Sequence, residues 1–112
     1  MNDIELRMPS AKEAEDYIVG CIIIDQSTAD EILNAVTSKD FYYPENRTIM
    51  EVVESLFSEG KLIDHTSVVT ELERTGKLAF AGGLEHIAEV VSNIPSTANI
   101  DSYVTLIQEA ST

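Results

Sequence analysis

The stretch "PENRTIMEVVESLFSEGK", Pro44 to Lys61, decides how the chain is read. Ile49, Val52, Val53, Leu56 and Phe57 recur at three- and four-residue spacing, which places them on one side of an α-helix. Pro44 suits the first turn, where the N–H it lacks would be unpaired anyway. At the far end Gly60 can take the left-handed conformation that stops a helix. The Gly60-Lys61 pair recurs as Gly76-Lys77 and raises the question of a phosphate-binding loop. Such a loop needs G-x-x-x-x-G-K-[ST], with a glycine five residues ahead and a hydroxyl after the lysine. Ser55 and Glu71 stand where the first glycine is required, and Leu62 and Leu78 where the hydroxyl is. Both pairs are therefore helix stops, each with a lysine beside the negative end of a helix dipole.

Towards the N-terminus, Ser10 and Glu13 have the spacing of a capping box. Ala14, Tyr17, Ile18, Cys21 and Ile22 follow on one helical face; Ile22-Ile23-Ile24 alone could form a short strand, but the cap and the length favour a helix. Thr28 and Glu31 repeat the capping-box spacing ahead of a short helix that offers Ile32, Leu33 and Val36 to the core. Asp40 to Pro44 reads as an aromatic turn. Beyond Gly60, Asp64 can cap a helix burying Val68, Val69 and Leu72. Gly82-Gly83 precede a helix with Leu84, Ile87, Ala88, Val91 and Ile94 on one face. Pro95 breaks the chain, and Asn99 can cap a last helix running towards Thr112. Six helical segments and no strand alternation predict an all-α fold. Its core should include Ile18, Ile22, Ile49, Val53, Leu56, Val69, Leu72 and Ile87.

A length of 112 residues, 44% of them apolar, is enough for one domain with a proper core. The net charge of −13, with seven scattered basic residues, opposes direct binding of nucleic acid, so a protein partner is expected. Cys21 has no second cysteine to pair with and lies in an apolar run, as a small buried hydrophobe would. The opening "MNDIELRMPS" lacks the apolar segment of a signal peptide, and no run is long enough to span a bilayer. A cytoplasmic protein without membrane contact is expected. His65 and His86 stand in no Cys/His cluster, so a zinc site is not expected. Asp30-Glu31 and Glu13/Glu15 read as caps and solvated surface, and Ser55 and Ser58 have no histidine near them in sequence. No catalytic, cofactor or metal site is expected in these residues.

Three segments, "PSAKEAEDYIVGCIIID", "DFYYPENRTIMEVVESLFSEGKLIDHTSVVTELERTGKL" and "GGLEHIAEVVSNIPSTANIDSYVTLIQE", resemble the N-terminal domain of DnaB-type replicative DNA helicases, in order from Pro9 to Glu109. Two positions depart from the pattern: Asn46, where the family often carries histidine, and His86, where an aromatic is common. The resemblance implies a compact orthogonal bundle of about six helices, a head over residues 1–96, with residues 97–112 starting a helical hairpin. It further implies a parent with a linker and a RecA-like motor that uses ATP and magnesium. The chain is expected to lack that motor, and so to hydrolyse no ATP itself. Six subunits would form a ring whose N-terminal domains pair into a collar recruiting primase and the helicase loader. The alternatives are the helicase-binding module of a primase and an independent acidic replication regulator.

For the partner surface the resemblance points to Glu13 and Glu15 at the acidic start of the first helix, and to His86 with its neighbours. Glu13 also reads simply as a cap. On the last helix, Ile100, Tyr103, Val104 and Ile107 form one stripe, while Leu106 and Ala110 fall towards a second side. A stripe this wide implies a second neighbour, so Tyr103, Leu106 and Ile107 are candidate contacts. Leu106 is expected to be exposed or covered by a second copy of the chain.

Overall fold

The computed structural model describes residues 10–94 and 96–111, so the expected break at Pro95 and the segment ahead of Ser10 lie outside the described residues. Among the described residues there are six α-helices and no strand: α1 (Ala11–Ile24), α2 (Ala29–Ala35), α3 (Pro44–Ser58), α4 (His65–Arg74), α5 (Gly83–Ser92) and α6 (Ile100–Ser111). Short 3-10 turns at Gln26–Thr28 and Ser38–Asp40 lead into and out of α2.

Helix α1 is the axis of the molecule. It packs against all five other helices, most extensively α6 and α5. Every residue from Ala14 to Ile23 is buried except Asp16. The apolar run that could have been a strand is thus helical, with Ile22 and Ile23 buried and Ile24 exposed at the helix end. Its start is the expected capping box: the Glu13 N–H donates to Ser10 Oγ at 3.1 Å, and the Ser10 N–H to Glu13 Oε1 at 2.8 Å. Gly20 lies where α5 crosses. A Cβ there would stand 2.3 Å from the Val90 carbonyl oxygen, so only glycine permits this approach.

The reading of Pro44–Lys61 holds in its main points. Pro44 opens α3, and Ile49, Val52, Val53 and Leu56 are buried. Phe57 is displaced to the edge of the stripe and is substantially exposed, with Met50 filling the core instead. Both glycine stops are left-handed, with φ of +69° at Gly60 and +72° at Gly76. Each lets the following lysine N–H reach back, Lys61 to the Leu56 carbonyl at 2.9 Å and Lys77 to that of Leu72 at 2.8 Å. Asp64 caps α4 through the Ser67 N–H at 2.8 Å. Val68 and Leu72 are buried, and Val69 is only half-buried.

Three expectations are corrected. Thr28 makes no capping bond, because its backbone is already helical (φ −82°, ψ −8°) and its hydroxyl donates to the Asp25 carbonyl at 2.8 Å. A capping residue needs an extended backbone to aim its oxygen at the helix amides. Asp25, which has that conformation, caps the preceding 3-10 turn instead. On α5, Ile87 and Val90 are buried, while Leu84 is 52% exposed and Ala88 is exposed. The close crossing at Gly20 sets the rotation of α5, and that rotation turns the Leu84–Ala88 side to solvent.

The third correction concerns α6. Ile100, Val104 and Ile107 are buried, and Leu106 packs half-buried against the core rather than standing free. The second neighbour implied by the wide stripe is within the chain: α6 lies on α1 and also touches α2 and the Ser38–Asp40 turn. Gln108 Nε2 donates to the Ala35 carbonyl at 3.0 Å, and the Ser111 hydroxyl to Asp40 Oδ1 at 2.7 Å.

Candidate functional site: a closed polar knot beside an open groove

Two polar regions meet on the first half of α1. The closed one is built on Glu15, which was expected on the surface and is 2% exposed. Helix α3 begins at Pro44 with Tyr43 as its N-cap, and Tyr43 has no side chain able to cap. The Glu15 carboxylate fills that place from α1. It accepts from the backbone N–H of Tyr42 at 2.6 Å, that of Tyr43 at 3.3 Å and Asn46 Nδ2 at 3.2 Å. A carboxylate near a helix N-terminus is also favoured by the helix dipole. Burial nevertheless outweighs these donors and pushes the Glu15 carboxyl above the ordinary glutamate range.

Asn46 is fully buried and ties the knot. Its Nδ2 donates to Glu15 and, at 2.8 Å, to Asp16 Oδ1. With the amide so oriented, Oδ1 must accept, and His86 Nε2 lies 2.7 Å from it. Nε2 of His86 is therefore the donor in this contact. The two positions that depart from the resembled pattern, Asn46 and His86, are thus partners joining α3 to α5. Arg47 closes the turn over the knot, donating through Nε to the Phe41 carbonyl at 3.0 Å and through a terminal nitrogen to that of Tyr42 at 3.2 Å.

The open region starts one residue on. Glu13, Asp16 and Tyr17 of α1 face Glu89, Asn93 and Ile94 near the end of α5, with Asn99 and Tyr103 closing a groove of about 370 Å³. Tyr17 and Tyr103 stack with ring centroids 4.2 Å apart. The Tyr17 hydroxyl donates to the Ser96 carbonyl and accepts from the Asn99 N–H at 3.2 Å, so it fastens the start of α6 to α1.

The six candidate residues consequently separate. Glu13 is exposed, in its cap and on the groove rim, and Tyr103 forms part of the groove wall. Glu15 and His86 belong to the closed knot. Ile107 is core, and Leu106 lies half-buried beside it. Asp16, Tyr17 and Glu89 were not singled out as site residues: Tyr17 read as core, and lone acids on separate helices carry no local signal that they converge. Among the described residues no group of three or more His, Cys, Asp or Glu side chains could hold a metal ion. Burial raises the Cys21 thiol to about 11, well away from a reactive thiolate. No helix among the described residues is long and apolar enough to cross a membrane.

Comparison with known proteins places this architecture. The family model "DnaB-like helicase N terminal domain" matches residues 7–109, and the chain belongs to that family. The replicative DNA helicase DnaB of Buchnera aphidicola subsp. Baizongia pistaciae is 32% identical over 112 residues, covering 98% of this chain and 24% of that protein. The DnaB of Pasteurella multocida is 32% identical over 101 residues, covering 90% of this chain and 22% of the relative. The chain therefore spans about a quarter of the length of these curated relatives. The crystal structure of the N-terminal domain of DnaB helicase from Mycobacterium tuberculosis matches with a TM-score of 0.84 at 25% identity, over 94% of this chain and 73% of that one.

Proposed function

We propose that this domain is the N-terminal scaffold of a hexameric, ATP-dependent replicative DNA helicase, where it pairs into a collar that recruits primase and the helicase loader. The observation that carries this reading is the family match over residues 7–109. The helicase names of the relatives favour it over a primase module or an independent regulator. ATP and magnesium would be used by a separate motor domain: both Gly-Lys pairs here are helix stops, and the charge of −13 suits contact with proteins better than with DNA. Residues 97–111 would begin the helical hairpin through which such domains pair. Recruitment would use the exposed Glu13 and the half-buried Tyr103 among the expected positions, while Glu15 and His86 shape the surface from beneath.

The test is assembly and recruitment by the helicase that carries this domain, with and without residues 1–112. Loss of stable rings and of primase binding on deletion supports the reading. Unimpaired rings that still recruit primase without the domain overturn it. The 112-residue chain alone is expected to turn over no ATP above background in a coupled assay.

A further inference from the structure

The groove between α1, α5 and the start of α6 has a composition that the packing of the domain does not require. Three carboxylates, Glu13, Asp16 and Glu89, surround it, two amides line it, and among the described residues no lysine, arginine or histidine is in its walls. Val90 and Ile94 supply apolar surface, and the stacked Tyr17–Tyr103 pair forms an aromatic wall. The acids do not converge closely enough to hold a metal ion. Spread around a cavity, they match a cation whose charge is itself spread and whose stem is apolar. A volume of about 370 Å³ is at the small end for a ligand site and suits side chains better than a nucleotide, whose phosphates the acids would also repel.

The acids differ in how far they are already engaged. Glu13 is held in its capping box, and Asp16 accepts from Asn46 and pairs with Lys12 at 2.9 Å on the rim. Among the described residues Glu89 has only a longer-range attraction to Lys12. Its carboxylate can turn towards an incoming donor without breaking a bond to any of them. We infer that this groove binds an arginine side chain presented by an extended, basic segment of a protein partner, the guanidinium lying against the tyrosine wall and hydrogen-bonded by Glu89. Arginine fits better than lysine because its planar, weakly hydrated head both stacks on an aromatic face and meets a carboxylate through two N–H groups.

This deepens the recruiting role proposed above and rests on it only for the existence of a partner. The test therefore uses a probe of known composition. The 112-residue chain, labelled with 15N, is titrated at 150 mM salt with the blocked tripeptide acetyl-Ala-Arg-Ala-amide, with its lysine counterpart, and with citrulline, which keeps the shape and loses the charge. Saturable shifts confined to the amides of Glu89, Asn93, Asn99 and Tyr103 are expected. Affinity should be at least tenfold weaker for citrulline, several-fold weaker for lysine, and about fivefold weaker for Glu89→Gln with the rest of the spectrum unchanged. Shifts scattered over acids elsewhere, such as Glu71 and Glu73, or equal binding of citrulline, overturn the inference. Primase recruitment that survives alongside either result would leave the scaffold reading standing and remove only the groove. Groove binding in a protein that assembles no ring would do the reverse.

Discussion

Glu15 and Asp16 are adjacent in sequence and meet opposite environments. Glu15 is enclosed, its oxygens taken by donors from the turn ahead of α3 and from Asn46. Asp16 looks into a groove, held by Asn46 on one side and by the partly exposed Lys12 on the other. The difference is one of rotation: a helix turns about 100° per residue, so neighbours on a buried helix can share one donor, here Asn46, and still differ in exposure. A buried carboxylate is tolerated where its own chain supplies every donor, and it then holds segments together. One exposed at the open groove, as Glu89 is, holds little together and remains available to another molecule.

The largest effect expected from that contrast is for Glu15→Lys. It places a cation against three donors in a closed space and should cost about 3–5 kcal/mol, as an uncompensated buried charge does. Urea denaturation reads it directly; a loss under about 1 kcal/mol would show that Glu15 reaches solvent after all. Leu56→Ala, in the core under α3, should cost about 2–5 kcal/mol through lost contacts and a residual cavity. Gly20→Ala should follow at about 1–3 kcal/mol, since the added methyl must push the Val90 carbonyl away. Val90 amide shifts would confirm that α5 has moved.

A pH series sharpens the comparison further. Because the folded Glu15 carboxyl sits above its ordinary range, the folded state binds this proton more tightly than the unfolded chain. Its contribution is then fully present below the ordinary glutamate value and is lost as pH rises through the folded one. The stability of the unaltered chain minus that of Glu15→Gln should accordingly fall over that window. A difference that rises instead would mean the N–H donors outweigh burial. Asp40 and Asp64, both lowered by backbone N–H donors, act in the opposite direction and cancel in this subtraction. The smallest effect belongs to the groove: Glu89→Gln should change stability by no more than about 0.5 kcal/mol, as surface substitutions do. A larger loss would make Glu89 a structural residue like Glu15.

What the sequence determined by itself was the local grammar. The Ser10–Glu13 box, Pro44 at a first turn, the Gly60 and Gly76 stops and the Asp64 cap each depend on a few neighbouring residues, whose backbone geometry follows from their chemistry wherever they sit. The resemblance read along Pro9 to Glu109 likewise named the family, because order and spacing survive in a linear string. Tertiary structure alone decided the rest. Thr28 matched the capping spacing but entered its helix already coiled, and Leu84 fitted an apolar stripe that the Gly20 crossing rotated outward. Glu15 looked like solvated surface because polarity at a helix start usually means water. Its burial depends on amides 27 and 28 residues away and an asparagine 31 away. Contacts at such range carry no trace in local pattern, since they are selected by how five helices close around one, and that closure sealed the knot and left the groove open.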